Sequence, residues 1–153
     1  MATTPIQHQY DPDFCHCYGC GRMNEHGLQL KSYWLGEEAV ARFTPKDEHM
    51  ALPGFVYGGL LASLVDCHGV GTAAAVAATE KGGCKDEPLG RYVTAALQVT
   101  FRKPTPLGPE LVLRGRLKER RKSKLVIGVE IEAEGEVTVR GEVVAAPMPA
   151  SMG

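Results

Sequence analysis

The segment that decides the fold is YGGLLASLVDCHGVGTAAAVAATE, residues 57–80 of a 153-residue chain. From Gly58 to Thr79 it contains no proline and consists mostly of Leu, Ala and Val, which predicts an α-helix on the order of 30 Å long. Because apolar residues occur nearly all round this helix, we expect other structure to enclose it. Lys81 and the glycines after it, Gly82 and Gly83, predict where it ends.

Shorter apolar runs on both sides of the helix predict β-strands. Their ranges are 28–35 and 39–43 before the helix, then 93–101, 111–118, 125–131 and 137–145 after it. Polar turns between the later runs indicate an antiparallel meander. We therefore expect an α+β fold in which the helix covers one face of the sheet. Since the helix is too apolar for one sheet face, a dimer or larger oligomer is also expected.

The N-terminal residues differ in composition from the rest of the chain. Residues 1–14 are polar and without periodicity, which predicts a loose arm, and residues 15–27 are rich in Cys, His and Gly, which predicts ordered coil. The domain organisation predicted is thus an arm and Cys/Gly-rich segment over residues 1–27, followed by one domain over residues 28–147.

Composition limits the classes of partner. The chain is 44% hydrophobic and 23% charged with a net charge of -1, so nucleic acid is not an expected partner. The sequence shows neither an unbroken apolar run long enough for a membrane span nor a secretory signal at its start, so we expect no membrane contact and a cytoplasmic location. The odd number of cysteines, five, favours reduced thiols over a disulfide framework.

Asp66 is the unusual residue of the helix. An ionised Asp is rarely buried without a partner, yet Asp66 lies among apolar residues. Helical spacing stacks it on a face of small residues that would leave a narrow slot: Gly59, Ala62, Ser63, Gly69, Val70 and Ala73. The free backbone amides of Gly58 and Gly59 suit an oxyanion or a polarised carbonyl. An acid and an oxyanion site together suit acyl transfer or hydrolysis.

A structural role for the same residues stays open. Asp66 would then be an acid bonded to a neighbouring strand, and the glycines would serve close packing. His68, which follows Cys67, is interpreted as a structural partner rather than a base, because adjacent helical residues point about 100° apart. Cys67 is interpreted as packing.

A zinc site is the alternative interpretation of the N-terminal Cys and His residues. The candidate ligands are Cys15, His16, Cys17, Cys20 and His26. A structural zinc site commonly needs a C-x-x-C pair and a second, distant pair of ligands, and only one C-x-x-C pair is found here. We therefore favour packing and expect no metal ligand, with a metal-stabilised interaction module as the lowest-ranked function.

The sequence resembles hotdog-fold thioesterases of the PaaI type. The resemblance begins with PGFVYGGLLASLVD, residues 53–66, where the family usually reads His-Gly-Gly followed seven residues later by Asp or Glu. It continues through YVT, FRKP and PLG at residues 92–94, 101–104 and 106–108. Upstream, CYGCG at residues 17–21, then Asn24, Gly27 and Leu28, is similar to the opening of many members. The resemblance covers roughly residues 15–146.

This resemblance implies a hotdog fold, with an antiparallel sheet wrapped around one long helix. It also implies homodimers or homotetramers with a site at the subunit interface. The implied activity is hydrolysis of a small or medium acyl-CoA thioester, with no cofactor other than the CoA of the substrate. Asp66 would be the general base or nucleophile, the Gly58 and Gly59 amides would polarise the carbonyl, and Thr94, from the same chain or its partner, would hold water or orient Asp66.

Two positions depart from the family pattern. Tyr57 stands where the family has His, and a phenol can donate a hydrogen bond at the helix entrance but does not titrate near neutrality. Ala51 stands where some members have a carbonyl-orienting Asn. These departures motivate an alternative function, a non-hydrolytic protein of the same fold that binds acyl-CoA or another small ligand.

Four basic residues are candidates for binding the phosphates of CoA. Arginine suits phosphate recognition, and the candidates are Arg102, Lys103, Arg120 and Arg121. The alternative interpretation is an ordinary solvated hairpin.

Overall fold

Across residues 4–82 and 87–153, which the computed structural model describes, the chain forms one α-helix and six strands. The helix, α1, spans Gly58–Glu80, and the predicted Gly83 and the cysteine Cys84 lie outside the described residues. The strands are β1 (Ser32–Trp34), β2 (Ala39–Phe43), β3 (Tyr92–Phe101), β4 (Leu111–Arg121), β5 (Lys124–Ala133) and β6 (Glu136–Pro147). The predicted order of two strands, one helix and further strands is confirmed.

The strands form one antiparallel sheet in the order β1-β2-β4-β5-β6-β3. The predicted meander is confirmed for β4, β5 and β6, but β3 pairs with β6 and not with β4. The link after β3 instead passes the start of the helix, where Val56 N donates to Thr105 O (2.9 Å) and Leu107 N donates to Gly54 O (2.9 Å). Since β3 pairs with β6 alone and is last in the strand order, it is an edge strand of the sheet.

The sheet and the N-terminal residues enclose the helix from two sides. Leu64 and Val65 pack into the main core with Ile127 and Val143. The second half of the helix is covered by residues 4–27, called here the N-terminal segment. Ile6 and Tyr10 of this segment pack on Ala74 and Ala75. The prediction of a loose arm is therefore wrong for the described residues 4–14: Ile6 and Gln7 are each 1% exposed. No periodic pattern marks their burial, because it depends on contacts with distant residues.

One part of the helix surface stays half-exposed. By length and hydropathy α1 could cross a membrane, but 72% of its most apolar window is buried inside the protein, as in a core helix. The half-exposed positions of the first half include Gly59, Ala62, Ser63 and Asp66. They belong to the predicted small-residue face, whose other members, Gly69, Val70 and Ala73, are buried.

Candidate functional site

Thr94 reaches Asp66 because β3 contains a β-bulge. Regular alternation would place Thr94 on the face opposite Leu97, but the register with β6 shifts between Thr94 and Ala96. Thr94 is therefore paired across the strands with Ala145, and Leu97 with Val143. Since Ala145 and Val143 are both buried on the same face of β6, Thr94 and Leu97 also share one face. The Thr94 hydroxyl donates to Asp66 Oδ1 at 2.5 Å. Bulges often redirect a side chain beside an active site, and here the donor comes from the same chain as the acid.

The surroundings of Asp66 raise the pKa of its carboxyl group. Its carboxylate is half-buried, and burial is the largest effect raising the pKa of Asp66 above its ordinary value. The Thr94 hydrogen bond and the Arg91 charge oppose this shift, whereas Cys17 adds to it. A carboxylate with a raised pKa is a stronger proton acceptor. Asp66 and Thr94 line a pocket of about 190 Å³.

Arg91 is a charged residue of this pocket that sequence reasoning missed. Its guanidinium carbon lies 4.5 Å from the centre of the Tyr10 ring, and its Nη1 donates to Tyr92 O at 2.9 Å. The cation is thus held over a buried aromatic ring of the N-terminal segment and lines the same pocket as Asp66. No motif around Arg91 marks it, since the N-terminal segment that positions it is distant in sequence.

The helix start presents two free amides. Among the described residues, neither Gly58 N nor Gly59 N has a backbone acceptor, and the first bonded amide is that of Leu60, to Tyr57 O. The Tyr57 ring folds back over Gly59, so that a Cβ added there would lie 2.7 Å from Tyr57 Oη. The Phe101 ring lies over Gly58, 3.4 Å from an added Cβ. The two glycines therefore combine open amides with room for aromatic rings.

A second pocket, of about 450 Å³, adjoins this helix start. Its lining is largely apolar and includes Ala51, Leu52, Phe55, Gly58 and Phe101. Leu52 is 73% exposed and Phe101 53%, which is unusual for large apolar side chains. A concave apolar surface of this kind suits the uncharged part of a ligand.

The amides and the acid do not meet within one chain. Asp66 is seven positions after Gly59, so the two residues lie about 10 Å apart along the helix axis. Groups that act on one carbonyl need contacts of about 3 Å. Gly59 and Asp66 are both half-exposed positions of one helix, but they lie too far apart along it to act together in a single copy.

The four predicted basic residues fall into two separate groups. Arg102 and Lys103 line the pocket at the helix start, and Lys103 pairs with Glu136 at 3.0 Å. Arg120 instead pairs with Glu80, the last residue of the helix, at 2.9 Å, and Arg121 pairs with Glu119.

His68 holds a buried hydrogen-bond network. The ring is 0% exposed, its Nε2 donates to Ala39 O (2.9 Å), and its Nδ1 accepts from the Ser32 hydroxyl (2.8 Å). Gln7 completes the network, because its Nε2 donates to Ser32 Oγ (3.0 Å) and its Oε1 accepts from Ser32 N (2.8 Å). Burial lowers the pKa of His68 to about 4, so the ring is neutral near pH 7. The interpretation of His68 as a structural partner agrees with these contacts.

Replacing His68 with Ala should lower the free energy of unfolding by about 3 kcal/mol, because it leaves a cavity and two buried polar groups without partners. Urea denaturation at a fixed protein concentration measures the change. His26→Ala is the matched control, since His26 is exposed and should change stability by less than about 0.5 kcal/mol. Equal effects of the two substitutions would contradict the structural role of His68.

Three thiols also meet at the pocket of Asp66. The Sγ atoms of Cys17, Cys20 and Cys67 all lie within 4.8 Å of one another, whereas Cys15 donates to backbone carbonyls, among them that of Asp11 (3.2 Å). Hydrogen bonding among these thiols lowers the pKa of Cys17 and raises the pKa of Cys67. Sequence reasoning missed this group because Cys67 is 50 residues from Cys17.

Comparison with known proteins identifies relatives of the chain. A family model described as "Thioesterase superfamily" matches residues 53–140, which include the helix start, Asp66 and Thr94. Acyl-coenzyme A thioesterase THEM4 of Mus musculus is 31% identical over 94 residues, which are 61% of this chain and 35% of the mouse protein. The THEM4 protein of Rattus norvegicus is 30% identical over the same shares. The chain thus spans about a third of the length of these curated relatives.

Solved structures give the same fold. The crystal structure of a thioesterase superfamily protein from Shewanella loihica is 45% identical and has a TM-score of 0.69, covering 90% of this chain and 97% of that one. The PaaI protein of E. coli has a TM-score of 0.64 at 17% identity, covering 80% and 81% of the two chains. A Streptococcus pneumoniae protein solved with coenzyme A has a TM-score of 0.60 at 15% identity, over 73% and 79%. The predicted hotdog fold is confirmed.

Proposed function

Since the chain belongs to the thioesterase superfamily, we propose that it hydrolyses a small or medium acyl-CoA thioester at a site shared between two copies of the chain. The observation that carries the proposal is Asp66, a half-buried carboxylate oriented by Thr94 beside a small pocket. An oriented carboxylate with a raised pKa suits the activation of water or direct attack on a carbonyl.

The reaction assigns a separate task to each group. Asp66, acting as a base, takes a proton from water as the water oxygen attacks the thioester carbonyl carbon. The Gly58 and Gly59 amides donate to the oxyanion that forms, and the C–S bond then breaks. The thiol leaves with the proton and the acid product remains. In the nucleophilic variant the Asp66 oxygen attacks the carbonyl carbon and the C–S bond breaks, which releases the CoA thiolate. Water then cleaves the resulting anhydride to the acid product and the Asp66 carboxylate, and a proton from that water goes to the thiolate.

A second copy would bring the amides to the acid. Strand β3 is a ten-residue edge whose apolar side chains are partly exposed, including Leu97 at 42%. An open edge of this length can pair with the same edge of another copy, which gives a symmetric dimer. The half-exposed stripe of α1 from Gly59 to Asp66 would then face the same stripe in reverse order. This arrangement supports a site in which Asp66 of one copy faces Gly58 and Gly59 of the other.

The two pockets suit different parts of an acyl-CoA substrate. The apolar pocket at the helix start would take the pantetheine arm, and Arg102 and Lys103 at its rim would meet phosphate groups. Arg120 and Arg121 support this role less well, because neither lines this pocket and Arg120 pairs with Glu80 at the far end of the helix. The pocket of about 190 Å³ at Asp66 would take the acyl group. A cavity of about 150 Å³ holds benzene, so a short chain or a single ring fits.

A thiol-release assay over a panel of acyl-CoA thioesters tests the proposal. We expect release of CoA from short-chain or single-ring thioesters, and at least about a tenfold lower kcat/KM for chains of fourteen or more carbons. The Tyr57 ring over Gly59 favours the alternative, a protein that binds acyl-CoA without cleaving it. Stabilisation in a thermal-shift assay by an acyl-CoA that is not hydrolysed would support that alternative and contradict the proposed activity.

A further inference from the structure

The three thiols at the pocket of Asp66 have the spacing of a metal site. Cys17 and Cys20 come from the N-terminal segment and Cys67 from α1, and their Sγ atoms all lie within 4.8 Å of one another. The Sγ atoms of Cys17 and Cys67 are 3.7 Å apart. Two sulfurs bound tetrahedrally to zinc at about 2.3 Å are about 3.8 Å apart, whereas those of a disulfide are about 2.05 Å apart. The observed separation fits two ligands of one ion.

The loop that carries Cys17 and Cys20 is fixed by backbone contacts. Gly21 N donates to Cys17 O (2.7 Å), and Leu30 N donates to Gly19 O (3.0 Å). Such outer contacts orient the ligands of a metal site. The two sulfurs are therefore held in position by the fold itself.

Glycine is required where Cys67 meets this loop. A Cβ added at Gly19 would overlap Cys67 Sγ, and one added at Gly21 would lie 2.6 Å from two backbone oxygens, Cys15 O and Cys17 O. Gly19 therefore lets the helix thiol approach the C-x-x-C pair closely, and Gly21 lets the loop fold back on its own backbone. Cys15, in the same segment, points away and bonds to backbone carbonyls.

The thiols face a cavity that leaves room for another ligand. All three line the pocket of about 190 Å³ that Asp66 and Arg91 also line. Three protein ligands and one open position are the pattern of zinc sites that bind water or a ligand. Three thiolates and a divalent cation carry one net negative charge, and the Arg91 guanidinium in the same pocket offsets it.

We propose that Cys17, Cys20 and Cys67 bind one Zn²⁺ ion whose fourth position opens into the pocket of Asp66. This departs from the expectation that the chain has no metal ligand, because that expectation considered Cys15 with Cys17 and Cys20 and interpreted Cys67 as packing. Soft thiolate ligands in a tetrahedral arrangement favour Zn²⁺. The site does not depend on the proposed hydrolysis, since neither Asp66 nor Thr94 is one of its ligands.

Metal loading of the full chain, kept reduced, tests the site. After incubation with Zn²⁺ and gel filtration, we expect one zinc per chain by elemental analysis. Co²⁺ should give the thiolate charge-transfer absorption and the strong visible bands of a tetrahedral site. Cys67→Ser and Cys17→Ser should each lose the metal and these bands, whereas Cys15→Ser, the matched control, should keep both. Circular dichroism verifies that each variant is folded.

Three results would overturn the zinc site. They are wild-type protein that retains less than about a tenth of an equivalent of zinc, cobalt spectra without thiolate bands, and equal loss of metal in Cys15→Ser and Cys67→Ser. The wild-type measurements decide the matter even if a cysteine variant fails to fold. Thioester hydrolysis is measured separately on the same samples, so a failure of metal binding and a failure of the proposed activity remain distinguishable.

Discussion

Asp66→Asn should reduce kcat for thioester hydrolysis by at least about 100-fold while the protein stays folded. The amide has nearly the shape of the carboxylate, and its oxygen can still accept the Thr94 hydrogen bond. It can neither accept a proton from water nor attack a carbonyl. Because only the chemistry is removed, the loss should fall on kcat rather than on substrate binding.

The measurement is the initial rate of CoA release by Asp66→Asn, compared with the rate of a control variant in which an exposed Asp is changed to Asn. Asp13→Asn is a suitable control, since Asp13 is exposed in the N-terminal segment and does not line the pocket of Asp66. It should keep wild-type kcat. Asp66→Asn protein that retained more than about a tenth of wild-type kcat would exclude Asp66 as base or nucleophile.

The sequence predicted the helix and its acid because both depend on local composition. The proline-free apolar run from Gly58 to Thr79 is too long for an ordinary strand, and an acid inside such a run is visible without a structure. The placement of Thr94 was not predictable from the same pattern. A bulge adds one residue to a strand, so the side chains before it point to the opposite face from the one that regular alternation predicts. No residue type around Ala95 specifies a bulge there.

The contributions of the N-terminal segment were hidden for another reason. In the sequence, Tyr10 and Gln7 belong to a polar stretch without any pattern. Their roles depend on contacts with the distant residues Arg91 and Ser32. The sequence likewise indicates only a packing role for Cys67, because its contact with Cys17 of the C-x-x-C pair joins residues 50 positions apart. Such long-range contacts have no period in the sequence, so periodic patterns cannot predict them.

Leu97→Lys should convert the protein to a monomer and reduce kcat by at least about 100-fold. Leu97 is 42% exposed on the open edge strand β3, so a lysine there is tolerated in a single copy. In a dimer joined through β3, the charge would be buried without a partner. The monomer would keep Asp66 and Thr94 but lose the partner's amides, and loss of one oxyanion donor alone costs about 100-fold or more.

Sedimentation velocity and activity, measured over the same range of protein concentration, test this expectation. Leu35→Lys is the matched control, because Leu35 is 51% exposed beside β1 at the opposite edge of the sheet. It should leave both mass and kcat unchanged. A monomeric Leu97→Lys protein with wild-type kcat would show that one copy suffices and would refute the shared site.

Mixing two inactive variants distinguishes a shared site from a merely dimeric protein. Gly58→Pro removes an amide donor but suits the first helical position, since Tyr57 before it is extended (φ -62°, ψ 129°) and the Phe101 ring lies in ordinary contact. Co-refolded with Asp66→Asn, it should give heterodimers in which one of the two sites has both Asp66 and the Gly58 amide intact. Random pairing predicts recovery of about a quarter of wild-type activity. If each copy held a complete site, no mixture of these two variants would be active, because every chain carries one of the two defects.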